Sequence, residues 1–215
     1  MLVVKNLYLA YSKDYFTLND INLEFPKGRI TLILGEKDSG KSSLIRVIAG
    51  LEPQTKGEVL VNNIPITTAD FKNDIKMGYL SSFGAFLNNK SVKFNLEYVL
   101  KIRGYNKDQI HNLVSAALLT NKLESIADIK IKKLTEFVKL KVAIARLSLR
   151  PLELLVIDDI FENYSEKEIA NLAELVKDLI ERNSGCTVIM AISNLTISNY
   201  IKGNVTKLKY GSIVE

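Results

Sequence analysis

The sequence has almost none of the residues that build cross-links and metal clusters. One cysteine, Cys186, stands in 215 residues, which excludes an internal disulfide and fits a reducing compartment. It precedes the apolar run TVIMAI and reads as a small core side chain. The single histidine, His111, lies among polar residues of an expected helix and reads as a surface position. With one His and one Cys no zinc site can be assembled. Long apolar runs are missing too: nothing approaches the roughly 18 residues that cross a bilayer. The opening MLVVKNLYLA has neither the basic start nor the small-residue cleavage site of a signal peptide. Charge is not scarce, and the formal net charge is +5. The excess reads as spread along the chain, with no basic arm and no aromatic-interleaved basic patch, so no nucleic-acid partner is expected. A mildly basic surface near anionic lipid is compatible with it. There is no internal repeat or low-complexity linker, and the length suits one compact domain with a subdomain inserted.

What is present alternates. LVVKNLYL reads as a half-buried strand, and FTLNDINLEF as one or two more, ended by the turn PKG. RITLIL (29–34) is a short β-rich apolar run that stops at Gly35. From Gly40 the pattern turns helical, with Leu44, Ile45, Val47 and Ile48 as an apolar stripe closed by Gly50. GEVLVNN and IKMGYL read as strands. Residues 91 to about 133 recur at helical spacing and read as a helical insertion, followed by a helix over about 136–149. ELLVID and CTVIMAIS read as buried strands around the amphipathic helix EKEIANLAELVKDLIER. Strands alternating with helices call for a mostly parallel sheet covered on both faces.

Two motifs carry chemistry. GEKDSGKSS (35–43) meets the phosphate-loop pattern with Gly35, Gly40, Lys41 and Ser42, between a buried strand and a helix start. There backbone N–H groups and the positive helix end converge on phosphates, Lys41 supplies charge to the outer ones, and the Ser42 hydroxyl ligates Mg²⁺. Ser39 and Ser43 belong to the same cradle. The second motif is LLVID (154–158), which brings Asp158 out at the carboxyl end of a strand, the edge where open α/β sheets bind ligands. Asp158 is a metal-organising carboxylate, and Asp159, next along, can reach the water that attacks a terminal phosphate.

With these residues in place, the chain resembles the nucleotide-binding domain of an ABC (ATP-binding cassette) transporter over essentially its whole length. LNDINLEFPKGRITLILGEKDSGKSSLIRVIAGLEPQTKGEVLVNN follows the family's first third. LKVAIARLSLRPLELLVIDD is similar to its signature helix and Walker B strand, TVIMAIS to its switch strand, and NVTKLKYGSIVE to its closing hairpin. The resemblance implies an α/β P-loop NTPase core with a mostly parallel sheet, an antiparallel β subdomain and a helical subdomain inserted at about 84–150, all one domain over 1–215. It implies ATP and Mg²⁺ as ligands, with Tyr11 stacking on adenine. It also implies a membrane permease as partner, docked on the helical subdomain through the Phe83–Phe94 approach and the 91–119 helices. A second ABC ATPase, as homo- or heterodimer, would complete a complex peripheral to the inner face of the cell membrane and cytoplasmic.

The family's pattern breaks at several positions. A glycine usually stands where Asp38 is, at a backbone angle that favours glycine, and the carboxylate brings negative charge towards phosphate. Ser82 replaces the switch glutamine, Ser193 the switch histidine, and Asp159 the catalytic glutamate. A misplacement of about 1 Å can cost on the order of a hundredfold in rate. The signature stretch reads LTEFV (134–138): Thr135 keeps the hydroxyl, but Glu136 and Phe137 replace glycines. A carboxylate about 6 Å from a phosphate opposes it by roughly 2–3 kcal/mol at an effective dielectric of about 20, against about 0.3–1 kcal/mol gained from a helix N-terminus. Ser165 stands where the family often has an aspartate. Three readings follow: an ATP-binding subunit with impaired or absent hydrolysis, an active ATPase using Asp159 as base, and a non-enzymatic scaffold that binds no nucleotide.

Overall fold

The computed structural model describes residues 1–12, 15–68, 75–82 and 84–214. The chain divides into two compact units, one of residues 1–80, 152–163 and 183–215, the other of residues 81–151 and 164–182.

The first unit is built on two sheets. In the four-stranded one, β1 (Leu2–Ser12), β2 (Tyr15–Phe25), β4 (Lys56–Val61) and β5 (Ile64–Pro65) run in the order β2-β1-β4-β5, all antiparallel. FTLNDINLEF is thus part of one strand. GEVLVNN is a strand only to Val61, because Asn62 and Asn63 take φ of +50° and +65° and form the hairpin turn into β5; Asn tolerates that left-handed region better than most residues. The six-stranded sheet has the order β10-β9-β3-β8-β7-β6, with β3 (Ile30–Leu34), β6 (Met77–Ser81), β7 (Leu154–Asp158), β8 (Thr187–Ile192), β9 (Asn204–Lys209) and β10 (Ser212–Val214). Its pairs β3–β8, β3–β9 and β7–β8 are parallel, and β9–β10 is an antiparallel hairpin. β8 is buried at every position and β7 at all but Asp158, as expected of strands covered on both faces.

Register decides what meets at the sheet's edge. Leu34 lies opposite Ile192 and Asp158 opposite Ala191. Gly35, Asp158, Asp159 and Ser193 therefore leave the sheet at one level. Helix α1 (Lys41–Ile48) packs its apolar stripe, Leu44, Ile45, Val47 and Ile48, into the same core as Ile33, Val156, Ile189 and Ala191.

The second unit is helical: α2 (Val92–Lys101), α3 (Lys107–Thr120), α4 (Glu136–Leu147) and α5 (Glu166–Arg182), with 3-10 turns at 124–126 and 131–133. Val92, Leu96, Val114, Ile131 and Val142 share its core. Asn95 is buried there as well, and its amide is fully used: Oδ1 accepts from the Leu87 N–H at 2.9 Å, while Nδ2 donates to the carbonyls of Leu87 (3.2 Å) and Ser91 (2.9 Å). The side chain holds the segment before α2 in place. Asn95→Ala leaves the part-buried Leu87 N–H unpaired, while the Leu87 and Ser91 carbonyls keep their backbone donors, the N–H groups of Lys90 and Asn95, and a loss of about 1–2 kcal/mol is expected. Urea unfolding measures it, and a change below about 0.5 kcal/mol would show that the segment is held otherwise.

His111 is exposed on α3. Cys186 is buried, and burial pushes its thiol up to about 11. The net charge is not spread evenly. The helical unit carries 16 Lys and Arg against 10 Asp and Glu, net +6, and the first unit 13 against 14, net −1. Most of that excess lies in the continuous stretch 81–151, with 13 Lys and Arg against 5 Asp and Glu, and the acidic helix α5 lowers it. Among the described residues no helix is long and apolar enough to cross a membrane.

Candidate functional site

The loop between β3 and α1 is shaped by its glycines. A Cβ on Gly35 would lie 2.4 Å from Ser39 Oγ and 2.6 Å from the Leu208 carbonyl. Gly40, with φ of +98°, caps α1 at a place where a Cβ would come within 2.9 Å of the Thr17 carbonyl. Asp38 takes φ of +61° with its side chain exposed. The backbone conflict expected there does not arise, since aspartate is among the few residues that enter the left-handed region at small cost.

Lys41 is 5% exposed. Its ammonium donates to the carbonyls of Gly35 (2.7 Å) and Glu36 (2.9 Å) and lies 3.5 Å from Asp159 Oδ2. Ser42 is half-buried and Ser43 buried, and Ser43 Oγ shares a hydrogen bond with the Tyr11 hydroxyl at 3.1 Å. The Tyr11 ring stands 59% exposed at the end of β1. Burial and the Glu52 carboxylate push its phenol up, and Glu52 in turn pairs with Arg46 at 3.4 Å. Tyr11, Thr17, Asp38, Lys41, Ser42 and Arg46 line a cavity of about 360 Å³. Ser39 is buried, and its hydroxyl finds no partner among the described residues.

Asp158 Oδ2 accepts from the Tyr79 hydroxyl at 3.1 Å, while Oδ1 is buried and unpartnered among the described residues. No group of three or more His, Cys, Asp or Glu suited to a metal occurs among those residues. The orphaned Asp158 oxygen fits a hard cation that keeps several waters and takes one or two protein oxygens plus phosphate. Asp159, with φ of +43°, accepts from the Ser193 hydroxyl. Burial, opposed by that bond, pushes its carboxyl above the ordinary range.

The first unit thus brings together Tyr11, Gly35, Asp38, Ser39, Gly40, Lys41, Ser42, Ser43, Asp158 and Asp159. Tyr79, Arg46 and Glu52 were missed by sequence reasoning. Arg46 in the last turn of α1 and Glu52 just beyond the helix stand six residues apart, a visible charge pair, whereas only strand pairing places Tyr79 at Asp158.

The helical unit holds the signature stretch. Thr135 caps α4 by accepting from Val138 N–H at 3.4 Å. Glu136 is exposed and ion-paired to Lys139 at 2.6 Å, so its charge is partly neutralised before any phosphate approaches. Phe137 packs edge-on against Tyr164, with ring centroids 5.8 Å apart. Phe83 lies outside the described residues.

The family model for ABC transporters matches residues 18–162. The chain belongs to the ABC transporter family. Among its relatives, the methionine import ATP-binding protein MetN 1 of Acinetobacter baylyi is 29% identical over 212 residues, covering 97% of this chain and 59% of that protein. The sn-glycerol-3-phosphate import ATP-binding protein UgpC of Bartonella bacilliformis is 31% identical over 175 residues, 81% of this chain and 50% of the other. The energy-coupling factor transporter ATP-binding protein EcfA1 of Staphylococcus aureus is 29% identical over 91% of this chain and 74% of its own length. The chain spans about half to two thirds of the length of the relatives it matches first. Its fold is that of a dimeric ATP-binding cassette bound to ADP and Pi (TM-score 0.86, 23% identity, 100% of this chain and 97% of that one). CbiO1 of Clostridium perfringens, part of the ABC transporter complex CbiONQ, shares it (TM-score 0.83, 24% identity, 100% and 86%). This ABC chain therefore has the α/β P-loop core expected of it.

Proposed function

We propose that this chain is the ATP-binding subunit of an import-type ABC complex, holding Mg-ATP in the loop around Lys41 while hydrolysing it slowly or not at all. The observation that carries the reading is a buried lysine at the start of α1, held by two loop carbonyls and 3.5 Å from the Asp159 carboxylate, next to Asp158, whose buried Oδ1 has no partner among the described residues. The loop's N–H groups and Lys41 bind the phosphates, and Tyr11 offers an exposed ring for the base. Ser42 and Asp158 hold the Mg²⁺, which when bound neutralises charge on the phosphates.

Slow turnover follows from what surrounds Asp159. Its carboxylate is engaged by Ser193 and by Lys41, whereas a general base must be free to take a proton from water. Neither Ser82 nor Ser193 carries the group the family uses to orient that water. The helical unit docks the permease, and a second ABC ATPase completes the complex at the cytoplasmic face of the membrane. Mg-ATP titration and phosphate release, alone and with the co-purifying partners, test the proposal. Binding without turnover is expected, and turnover at the rate of ordinary family members would overturn it.

The signature stretch adds a second test. Glu136→Gly with Phe137→Gly removes a carboxylate and an aromatic ring from the start of α4 and is expected to strengthen ATP-dependent dimerisation by about tenfold. The roughly 1 kcal/mol that a glycine costs in a helix interior falls on the stability of the chain, in monomer and dimer alike. Sedimentation with and without Mg-ATP measures it, and an unchanged dimer would count against the repulsion argument.

A further inference from the structure

We propose that the helical unit carries a second, nucleotide-independent site: a lysine-rich face around the start of α2 that binds the surface of an anionic phospholipid bilayer. The face is assembled by backbone pairing. Ser91 bridges Lys130, the Ile131 N–H donates to the Lys90 carbonyl at 3.0 Å, Lys132 N–H to Asn88 at 3.1 Å, and Lys93 N–H to Ala127 at 2.8 Å. Two stretches distant in sequence, 87–93 and 127–133, are thereby fused into one surface. It presents Lys90, Lys93, Lys130, Lys132 and Lys133, all exposed, against one carboxylate, Asp128. None of the five lysines forms an ion pair with a described residue.

The chemistry of the face favours a bilayer over a single anion or an acidic protein. Its cations are all lysines, point charges on flexible stems, with no arginine fork to grip one phosphate in two-point fashion. Such a set matches a field of headgroup phosphates. Between the lysines stand single apolar side chains, Leu87 at 42% and Ile129 at 38% exposure. Along α2, Phe94 and Tyr98 stack at 6.1 Å with the ammonium groups of Lys90 and Lys101 at 4.9 and 5.7 Å over the Phe94 ring. Amphipathic side chains of this kind settle at the headgroup boundary. They are scattered and do not form the contiguous apolar centre that a protein interface buries. The net charge of +6 on this unit draws it towards a negatively charged surface. The face overlaps the start of α2, through which the permease is expected to dock, so the proposal concerns the chain free of permease; nothing in it depends on nucleotide, and it and the ATP reading can fail separately.

The purified full chain, without permease, is floated with vesicles of phosphatidylcholine alone and with vesicles containing one third phosphatidylglycerol, at low and high salt. Partition into the anionic vesicles alone, lost at high salt, is expected. Each lysine contributes about fivefold, so the triple variant Lys90→Gln, Lys93→Gln, Lys132→Gln loses about a hundredfold in partition. Its helix content and Mg-ATP binding stay unchanged. A control variant on α5, Lys167→Gln with Lys177→Gln and Arg182→Gln, removes the same three charges, keeps wild-type partition and separates this face from bulk charge. Equal partition into both vesicle types, no partition at all, or an equal loss in the α5 variant overturns the proposal. So does binding that appears only with a permease or an acidic protein present.

Discussion

Lys41→Ala is expected to weaken Mg-ATP binding by about a hundredfold or more. The ammonium sits among the loop carbonyls of Gly35 and Glu36, and the residue is 5% exposed. An ion at about 4 Å from a phosphate is worth about 4 kcal/mol at an effective dielectric of about 20. Part of that is offset, because Lys41 must give up hydrogen bonds to the Gly35 and Glu36 carbonyls and its contact with Asp159. A net loss of about 3 kcal/mol corresponds to roughly a hundredfold in Kd. The variant also strands the half-buried Asp159 carboxylate without its cation, so thermal melting accompanies the titration to separate lost binding from lost fold. Equal affinities for a folded variant and the wild type would leave only the scaffold reading.

The second large effect has the opposite sign. Asp159→Asn is expected to tighten Mg-ATP binding by about tenfold while removing whatever turnover the wild type has. Asp159 competes with phosphate for Lys41 from 3.5 Å, and it repels a terminal phosphate brought to the same ammonium. Asparagine keeps the shape and can still pair with Ser193, but carries no charge. The pH dependence follows from the raised carboxyl, whose first cause is burial. Because the folded value lies above the unfolded one, ionising Asp159 costs folding free energy as pH rises from the ordinary carboxylate range through the raised value. That cost is present at neutral pH and relieved on acidification. Wild-type affinity and melting temperature should therefore approach those of the variant as pH falls through that window, while the variant's own profile shows no such step. Weaker binding by the variant at neutral pH would show that Asp159 supports the nucleotide site and does not compete with it.

Much of this was legible in the chain before folding. The glycine spacing at 35–40 and the apolar runs of β3, β7 and β8 could be read because phosphate cradles and doubly covered strands impose tight local demands on residue type. The helices between residues 91 and 149 were equally plain from their period. Asp38 misled, since a left-handed angle was taken to demand glycine, whereas aspartate enters it at small cost. The charge pattern was misread too: the excess taken as spread along the chain is concentrated in residues 81–151, which carry 13 Lys and Arg against 5 Asp and Glu.

The sequence by itself determined the strand–loop–helix cradle and the carboxylate at the end of β7, for these are local: a few consecutive residues set backbone angle, burial and exit point. Only the tertiary structure decided which side chains answer one another. That Asp159 is held by Lys41 and Ser193, that Tyr79 leaves one oxygen of Asp158 free, and that five lysines from two segments share a face all depend on parallel register and backbone pairing. Those contacts join residues tens to more than a hundred positions apart, and no local period records them.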